Sequence, residues 1–198
     1  MMKLVLATNN RNKIREIKDK FSDIRGLTLI PLSNIPNPPE IIEDGATFHE
    51  NAAKKALGIA RFTGLASMAD DSGLVVDALD GRPGILSARY GKADATDKDR
   101  NLMLLEELQG IRPDKRSARF VCVIAFAFPD GKCFFSAGRC DGMIADSMRG
   151  KHGFGYDPIF YLPEIGKTMA ELTLEEKNKI SHRARALGAA RELLLSLI

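Results

Sequence analysis

Long apolar runs are missing from this 198-residue sequence: the longest, Phe120 to Phe128, has nine residues before Pro129. A membrane-spanning helix needs about 20. The opening stretch Met1-Met2-Lys3-Leu4-Val5-Leu6-Ala7-Thr8-Asn9-Asn10 turns polar too soon for a secretory leader. A soluble, cytoplasmic protein without membrane contact is expected. Cysteine is scarce, and Cys122, Cys133 and Cys140 lack the paired spacing of a zinc site. They read as buried or half-buried thiols of a reduced compartment. An excess of one charge is also lacking. Lys plus Arg number 29 against 26 Asp plus Glu, a net +3 without blocks of like charge. That balance suits small anions better than a nucleic-acid track, so no nucleic-acid partner is expected. Repeats, linkers and low-complexity tracts are absent as well.

What is present is enough for a core. Hydrophobic residues make up 44% and charged residues 28%, which excludes wholesale disorder. The length fits a single domain over residues 1–198 that withdraws roughly 70% of its unfolded surface from water.

Patterning predicts strands at Lys3 to Thr8 and Leu27 to Leu32, with a helix between them carrying Ile14, Ile17, Phe21 and Ile24. Pro36, Pro38 and Pro39 make Ser33 to Asp44 irregular. A helix should follow over Ala46 to Phe62, then two short strands, Ala66 to Asp70 and Leu74 to Leu79. Asp97 to Leu108 reads as a helix with Leu102, Leu105 and Leu108 on one stripe. Ala118 to Phe128 and Lys132 to Gly138 form a hairpin around Pro129-Asp130-Gly131, and a further strand runs from Asp141 to Ile144. The C-terminus reads as two helices. Thr173-Leu174-Glu175-Glu176 is a capping box for the first, and Leu187, Ala190, Leu194 and Leu197 are the stripe of the last. Strands alternating with helices, plus one hairpin, define an α/β fold with a mixed sheet flanked by helices.

Five segments can carry chemistry. Thr8-Asn9-Asn10-Arg11-Asn12-Lys13 joins a strand to a helix. Helix N-termini bind phosphate through free N–H groups and the helix dipole. The segment also reads as an ordinary N-cap with solvated cations, and it is not a Walker loop. Asp70-Asp71-Ser72-Gly73 ends a predicted strand. Strand alternation lets one of the two Asp residues face a given site, where it could hold Mg²⁺ or deprotonate water. A strand-ending Asx turn is the other reading. Glu43-Asp44 could share a metal with Asp71, or Asp44 could cap the next helix with Glu43 in solvent. Gly153-Phe154-Gly155-Tyr156-Asp157-Pro158 lets backbone approach a ligand and offers flat rings to a base, or is a turn anchored by two aromatics. Lys177 and Ser181-His182-Arg183 converge only if the helix breaks near Ser181, a good N-cap. Otherwise they lie on one continuous basic helix. His49 and His152 read as surface or satisfied histidines.

Taken together these segments resemble the inosine triphosphate pyrophosphatase family, which includes the bacterial XTP/dITP diphosphatases. The matching stretches are Leu6 to Asn10 through Lys13, Thr47-Phe48 with Glu50-Asn51-Ala52, Ala69 to Leu74, Pro83-Gly84 and Ser87-Ala88-Arg89-Tyr90. They continue through Gly153 to Phe160, Gly166-Lys167-Thr168 and Glu175-Glu176-Lys177 to Ser181-His182-Arg183, in register from Met2 to about Leu197. One departure is Thr8-Asn9-Asn10, where the family usually has Thr-Gly-Asn. The resemblance implies an elongated, twisted mixed sheet, two lobes with a central cleft, and a homodimer. It implies Mg²⁺-dependent hydrolysis of ITP, dITP and XTP to the monophosphate and pyrophosphate, which clears deaminated purines from the precursor pool. Carried over, Thr8, Asn9, Asn10, Arg11, Asn12 and Lys13 would cradle the triphosphate. Glu43 and Asp71 would hold Mg²⁺, with Asp71 as proton acceptor and Ser72 beside it. Phe154, Gly155, Tyr156 and Asp157 would line one side of the nucleotide pocket, and Lys177, His182 and Arg183 the other. Donors such as Arg183 or His182 would reward the 6-oxygen of hypoxanthine over the amine of adenine. Arg183→Ala is therefore expected to raise the ratio of ATP to ITP turnover.

Overall fold

The computed structural model describes residues 1–92 and 94–197. Seven strands form one sheet: β1 (Met2–Leu6), β2 (Leu27–Pro31), β3 (Ala66–Val76), β4 (Ser117–Ala127), β5 (Cys133–Ile144), β6 (Phe160–Leu162) and β7 (Lys167–Thr168). Their order in the sheet is β2-β1-β3-β4-β5-β6-β7. β1 runs parallel to β2 and β3, whereas β6 is antiparallel to β5 and β7, so the sheet is mixed as the alternation of elements requires. The helices are α1 (Arg11–Phe21), α2 (Phe48–Thr63), α3 (Asp97–Glu107), α4 (Leu174–Ile180) and α5 (His182–Leu197). No helix among the described residues is long and apolar enough to cross a membrane.

The chain forms two compact units. The first comprises Met1–Asp71, Cys122–Gly138 and Arg183–Ile198, and the second Ser72–Val121 and Arg139–His182. In the first, alternate residues Leu4 and Leu6 of β1 and Met68 of β3 share a core with Ile17 and Phe21 of α1 and Leu187 and Leu194 of α5. In the second, Leu74, Leu104, Leu108, Phe120, Ile159 and Phe160 are the centre of the core.

Several boundaries differ from the sequence pattern. β3 is one strand of 11 residues that runs straight through Asp70-Asp71-Ser72-Gly73, which therefore lies mid-strand and ends nothing. β5 likewise continues from Cys133 through Gly138 to Ile144 without a break. Ile24 is buried but lies beyond the end of α1. On α3 the buried stripe is Asn101, Leu104 and Leu108, and Leu102 is 49% exposed, because a helix that buries Leu104 and Leu108 turns residue 102 to solvent. α2 begins at Phe48, later than Ala46, because Thr47 accepts the Glu50 N–H and caps it. At the C-terminus the basic run breaks. Ser181 has extended backbone (ψ 152°), so α4 ends there and α5 starts at His182.

Candidate active site

In the first unit the strand β3 carries Asp70 and Asp71 to opposite faces, and each meets cations from helices far away in sequence. Asp70 shares its face with Met68, toward α1 and α5. Its carboxylate lies 2.7 Å from Lys13 Nζ and 3.6 Å from Arg183 Nε. Glu16 completes this group, accepting from Arg183 Nη1 at 3.0 Å. Burial alone would raise the pKa of Asp70, but Lys13 and Arg183 outweigh it and hold the carboxyl far below the usual range. The group of two acids and two cations is neutral.

Asp71 faces α2. Lys55 Nζ lies 3.5 Å from Asp71 Oδ1 and 2.9 Å from Glu43 Oε2. Burial pushes the Asp71 pKa above its ordinary value, with Glu43 acting in the same direction and Lys55 opposing. Asn51 also lowers it, from outside good hydrogen-bond geometry. For Lys55, burial works against the charge, yet Asp71, Asp70 and Glu43 together raise its pKa. The segment that carries Glu43 is tied to α2 at Gly45, whose N–H donates to the buried Asn51 Oδ1 at 2.8 Å. Asp44 does not cap a helix but pairs with Lys54 at 2.6 Å. Unlike the neutral group around Asp70, the Glu43–Lys55–Asp71 cluster carries one net negative charge. Asp71 Oδ2 is buried without a hydrogen-bond partner among the described residues.

Thr8 to Lys13 lies at the start of α1 as expected. Asn10 is its N-cap, accepting from the N–H groups of Asn12 at 3.0 Å and Lys13 at 3.2 Å, and Thr8 Oγ1 accepts from Asn10 N–H. Asn9 does not adopt the left-handed backbone, so asparagine in place of glycine costs nothing there. Arg11 and Asn12 are exposed, whereas Lys13 is committed to Asp70.

The second unit holds the glycine-rich loop. Asp157 is 2% exposed, and its Oδ2 accepts from Phe154 N–H at 2.9 Å and from Lys177 Nζ. The Lys177 ammonium lies 4.7 Å from the centre of the half-buried Phe154 ring. Tyr156 is buried and donates from its hydroxyl to Ser87 O at 2.9 Å, so it anchors the loop and offers no exposed face to a base. His182 stacks on Phe120 at 4.7 Å. A Cβ on Gly153, at φ +78°, would fall 2.0 Å from Asp157 Oδ2. Gly153→Ala should therefore displace Asp157 and lower stability by about 1–3 kcal/mol, which thermal denaturation would register.

Arg183 sits among the acids of the first unit. It is 4% exposed and its guanidinium is engaged by Glu16 and Asp70. Ser72 follows Asp71 in β3, so alternation turns it to the face opposite that carboxylate. Lys55 escaped the sequence reading because Lys54-Lys55 looks like a solvated pair. The available signal was its helical spacing, four residues after the buried Asn51 and four before the buried Ile59.

A mixed α/β chain that gathers cations at a strand–helix junction and acids beside it belongs to the class built to handle phosphate anions. Residues 4–193 match the model of the Ham1 family, and the chain belongs to that family. It is 51% identical over 194 residues to a dITP/XTP pyrophosphatase of Geobacter sulfurreducens, covering 98% of this chain and 97% of that one. A dITP/XTP pyrophosphatase of Thermus thermophilus is 50% identical, covering 96% and 91%. Among solved structures, a HAM1 protein from Coxiella burnetii superposes with a TM-score of 0.93 at 42% identity, covering 99% of this chain and all of the other. The Staphylococcus aureus Ham1 protein superposes with a TM-score of 0.91 at 40% identity over 99% of this chain.

Proposed function

We propose that this protein hydrolyses dITP, ITP and XTP to the nucleoside monophosphate and pyrophosphate. The observation that carries the reading is the Glu43–Lys55–Asp71 cluster: net negative, part-buried, with one Asp71 oxygen left without a hydrogen-bond partner among the described residues. Its near-full-length relatives are dITP/XTP pyrophosphatases, and the cluster suits their reaction.

Mg²⁺ fits this cluster. No group of three His, Cys, Asp or Glu side chains gathers among the described residues. Mg²⁺ usually takes one or two protein carboxylates and completes its shell with water and substrate phosphate, so Glu43 and Asp71 would hold it. When bound, it would neutralise charge on the phosphate oxygens. The remaining roles belong to the chain. A water attacks the α-phosphorus, the bond from that phosphorus to the bridging oxygen of the β-phosphate breaks, and pyrophosphate leaves with the bond electrons. Asp71 accepts the proton of the water through Oδ2, which has no hydrogen-bond partner among the described residues. Arg11, exposed at the start of α1, stabilises the charge on the departing pyrophosphate, and Lys13 holds Asp70 beside it. Lys55 holds the two carboxylates in place between turnovers.

On this reading the Phe154 ring, with the Lys177 ammonium 4.7 Å from its centre, is the surface for the purine. Tyr156 and Asp157 support that loop, and Arg183 serves through Asp70. The same reading brings a cytoplasmic homodimer, for which sedimentation is the check. Assaying pyrophosphate and orthophosphate separately, with ATP and GTP as controls, tests the reaction. Pyrophosphate from dITP, little from the controls and none with EDTA is the expected result. Orthophosphate as the first product would contradict it. Turnover of pyrimidine or methylated nucleotides in preference to dITP would favour a Maf-like pyrophosphatase instead.

A further inference from the structure

The Phe154–Gly155 peptide is held from outside its own loop. Phe154 sits between Gly153 (φ +78°) and Gly155 (φ +61°), residues that by themselves leave the backbone unusually free. The peptide before Phe154 is fixed within the loop, since its N–H donates to Asp157 Oδ2 at 2.9 Å. The peptide after it is fixed by α3. Gly155 N–H donates to Asp97 Oδ2 at 2.7 Å, and Asn101 Nδ2 donates to Gly155 O at 2.8 Å.

The two α3 residues suit this task. The carboxylate of Asp97 is divided, Oδ1 accepting from Arg100 at 2.9 Å and Oδ2 from Gly155. Asn101 is 1% exposed, and its amide nitrogen meets two carbonyl oxygens, Asp97 O at 2.6 Å and Gly155 O at 2.8 Å. Only an NH₂ group satisfies both, so the orientation of the amide is dictated. One helical turn thus grips both polar groups of a single glycine 54 to 58 residues away. With the planes on both sides of its Cα held, the direction of the Phe154 Cα–Cβ bond is fixed, and its ring is confined to the rotamers of that one bond.

We infer that Asp97 and Asn101 are positioning residues that set the Phe154 ring as the platform for the purine. This rests on the reading of the Phe154 loop as the base pocket. It predicts a loss in substrate affinity with little loss in chemistry, because the groups around Asp71 are untouched.

The test compares Asp97→Ala, Asp97→Asn, Asn101→Asp and Phe154→Ala by KM and kcat for dITP. The Ki of inorganic tripolyphosphate, which has no base, is measured alongside. Asp97→Ala and Asn101→Asp should raise KM about ten-fold, the effect of one or two lost hydrogen bonds, and leave kcat within about three-fold. Asp97→Asn keeps an acceptor oxygen and should recover most of the KM loss. The tripolyphosphate Ki should not move. An unchanged KM in Asp97→Ala while Phe154→Ala raises it overturns the inference and leaves the base pocket standing. An unchanged KM in Phe154→Ala overturns the base-pocket reading and the inference with it. Equal losses for dITP and tripolyphosphate would also overturn the inference, since a merely structural role moves both. If Asn101→Asp fails to fold, the two Asp97 variants decide.

Discussion

Asp71→Asn is expected to lower kcat for dITP by about 10²–10⁴-fold, the range for loss of a positioned general base. Asparagine keeps the size of the side chain and its place in β3, so the fold is preserved while the proton acceptor is lost. Asp71 Oδ2, buried without a hydrogen-bond partner among the described residues, is the atom placed to accept that proton. Glu43→Gln provides the contrast. Glu43 is further exposed and touches Lys55 without being the proposed base. Its activity should return at high Mg²⁺ concentration, whereas that of Asp71→Asn should not. Equal recovery of both variants would make Asp71 a metal ligand only. Measuring kcat against Mg²⁺ concentration for the pair separates these outcomes.

Asp70→Asn should produce the largest loss of stability, about 3–5 kcal/mol, because it leaves buried cations short of their counter-charge. For a chain of this size that is a fall in Tm of roughly 10 °C. Asp70 lies 2.7 Å from Lys13 and 3.6 Å from Arg183, and its side chain is almost wholly buried. Both cations remain charged after the substitution, and Glu16 partners only Arg183 in the hydrogen-bond network around them. Arg183→Ala should likewise act through stability, with the ratio of ATP to dITP turnover unchanged. Calorimetry on the two variants, together with that ratio, checks whether this cluster supports the site or reads the base. A change in the ratio without a change in Tm would return Arg183 to the base.

The architecture was largely legible because it is written in local periodicity. α3, the hairpin of β4 and β5 and the Thr173–Glu176 capping box stand where spacing puts them. The errors share one physical origin. Asp-Asp-Ser-Gly has poor strand propensity and reads as a turn, yet it runs through the middle of β3. Its two carboxylates pair with Lys13, Lys55 and Arg183, which approach from three different helices. No window on the sequence contains those partners. The same long-range pairing explains why Lys55 was hidden and why Arg183, an apparent donor for a base, is engaged with acids. Tyr156 illustrates a further limit. Its ring suggests a stacking surface, but whether a ring faces a ligand or the core depends on Ser87, 69 residues away. The break at Ser181 was visible as an N-cap signal, and the extended backbone there is what separates α4 from α5.

The central claim is that water attacks the α-phosphorus next to Asp71. Hydrolysis of dITP in H₂¹⁸O, followed by mass spectrometry of both products, tests it most directly. The label should appear in the nucleoside monophosphate, with pyrophosphate unlabelled. Label in pyrophosphate would place the attack at the β-phosphorus and contradict the roles given to Asp71 and Arg11.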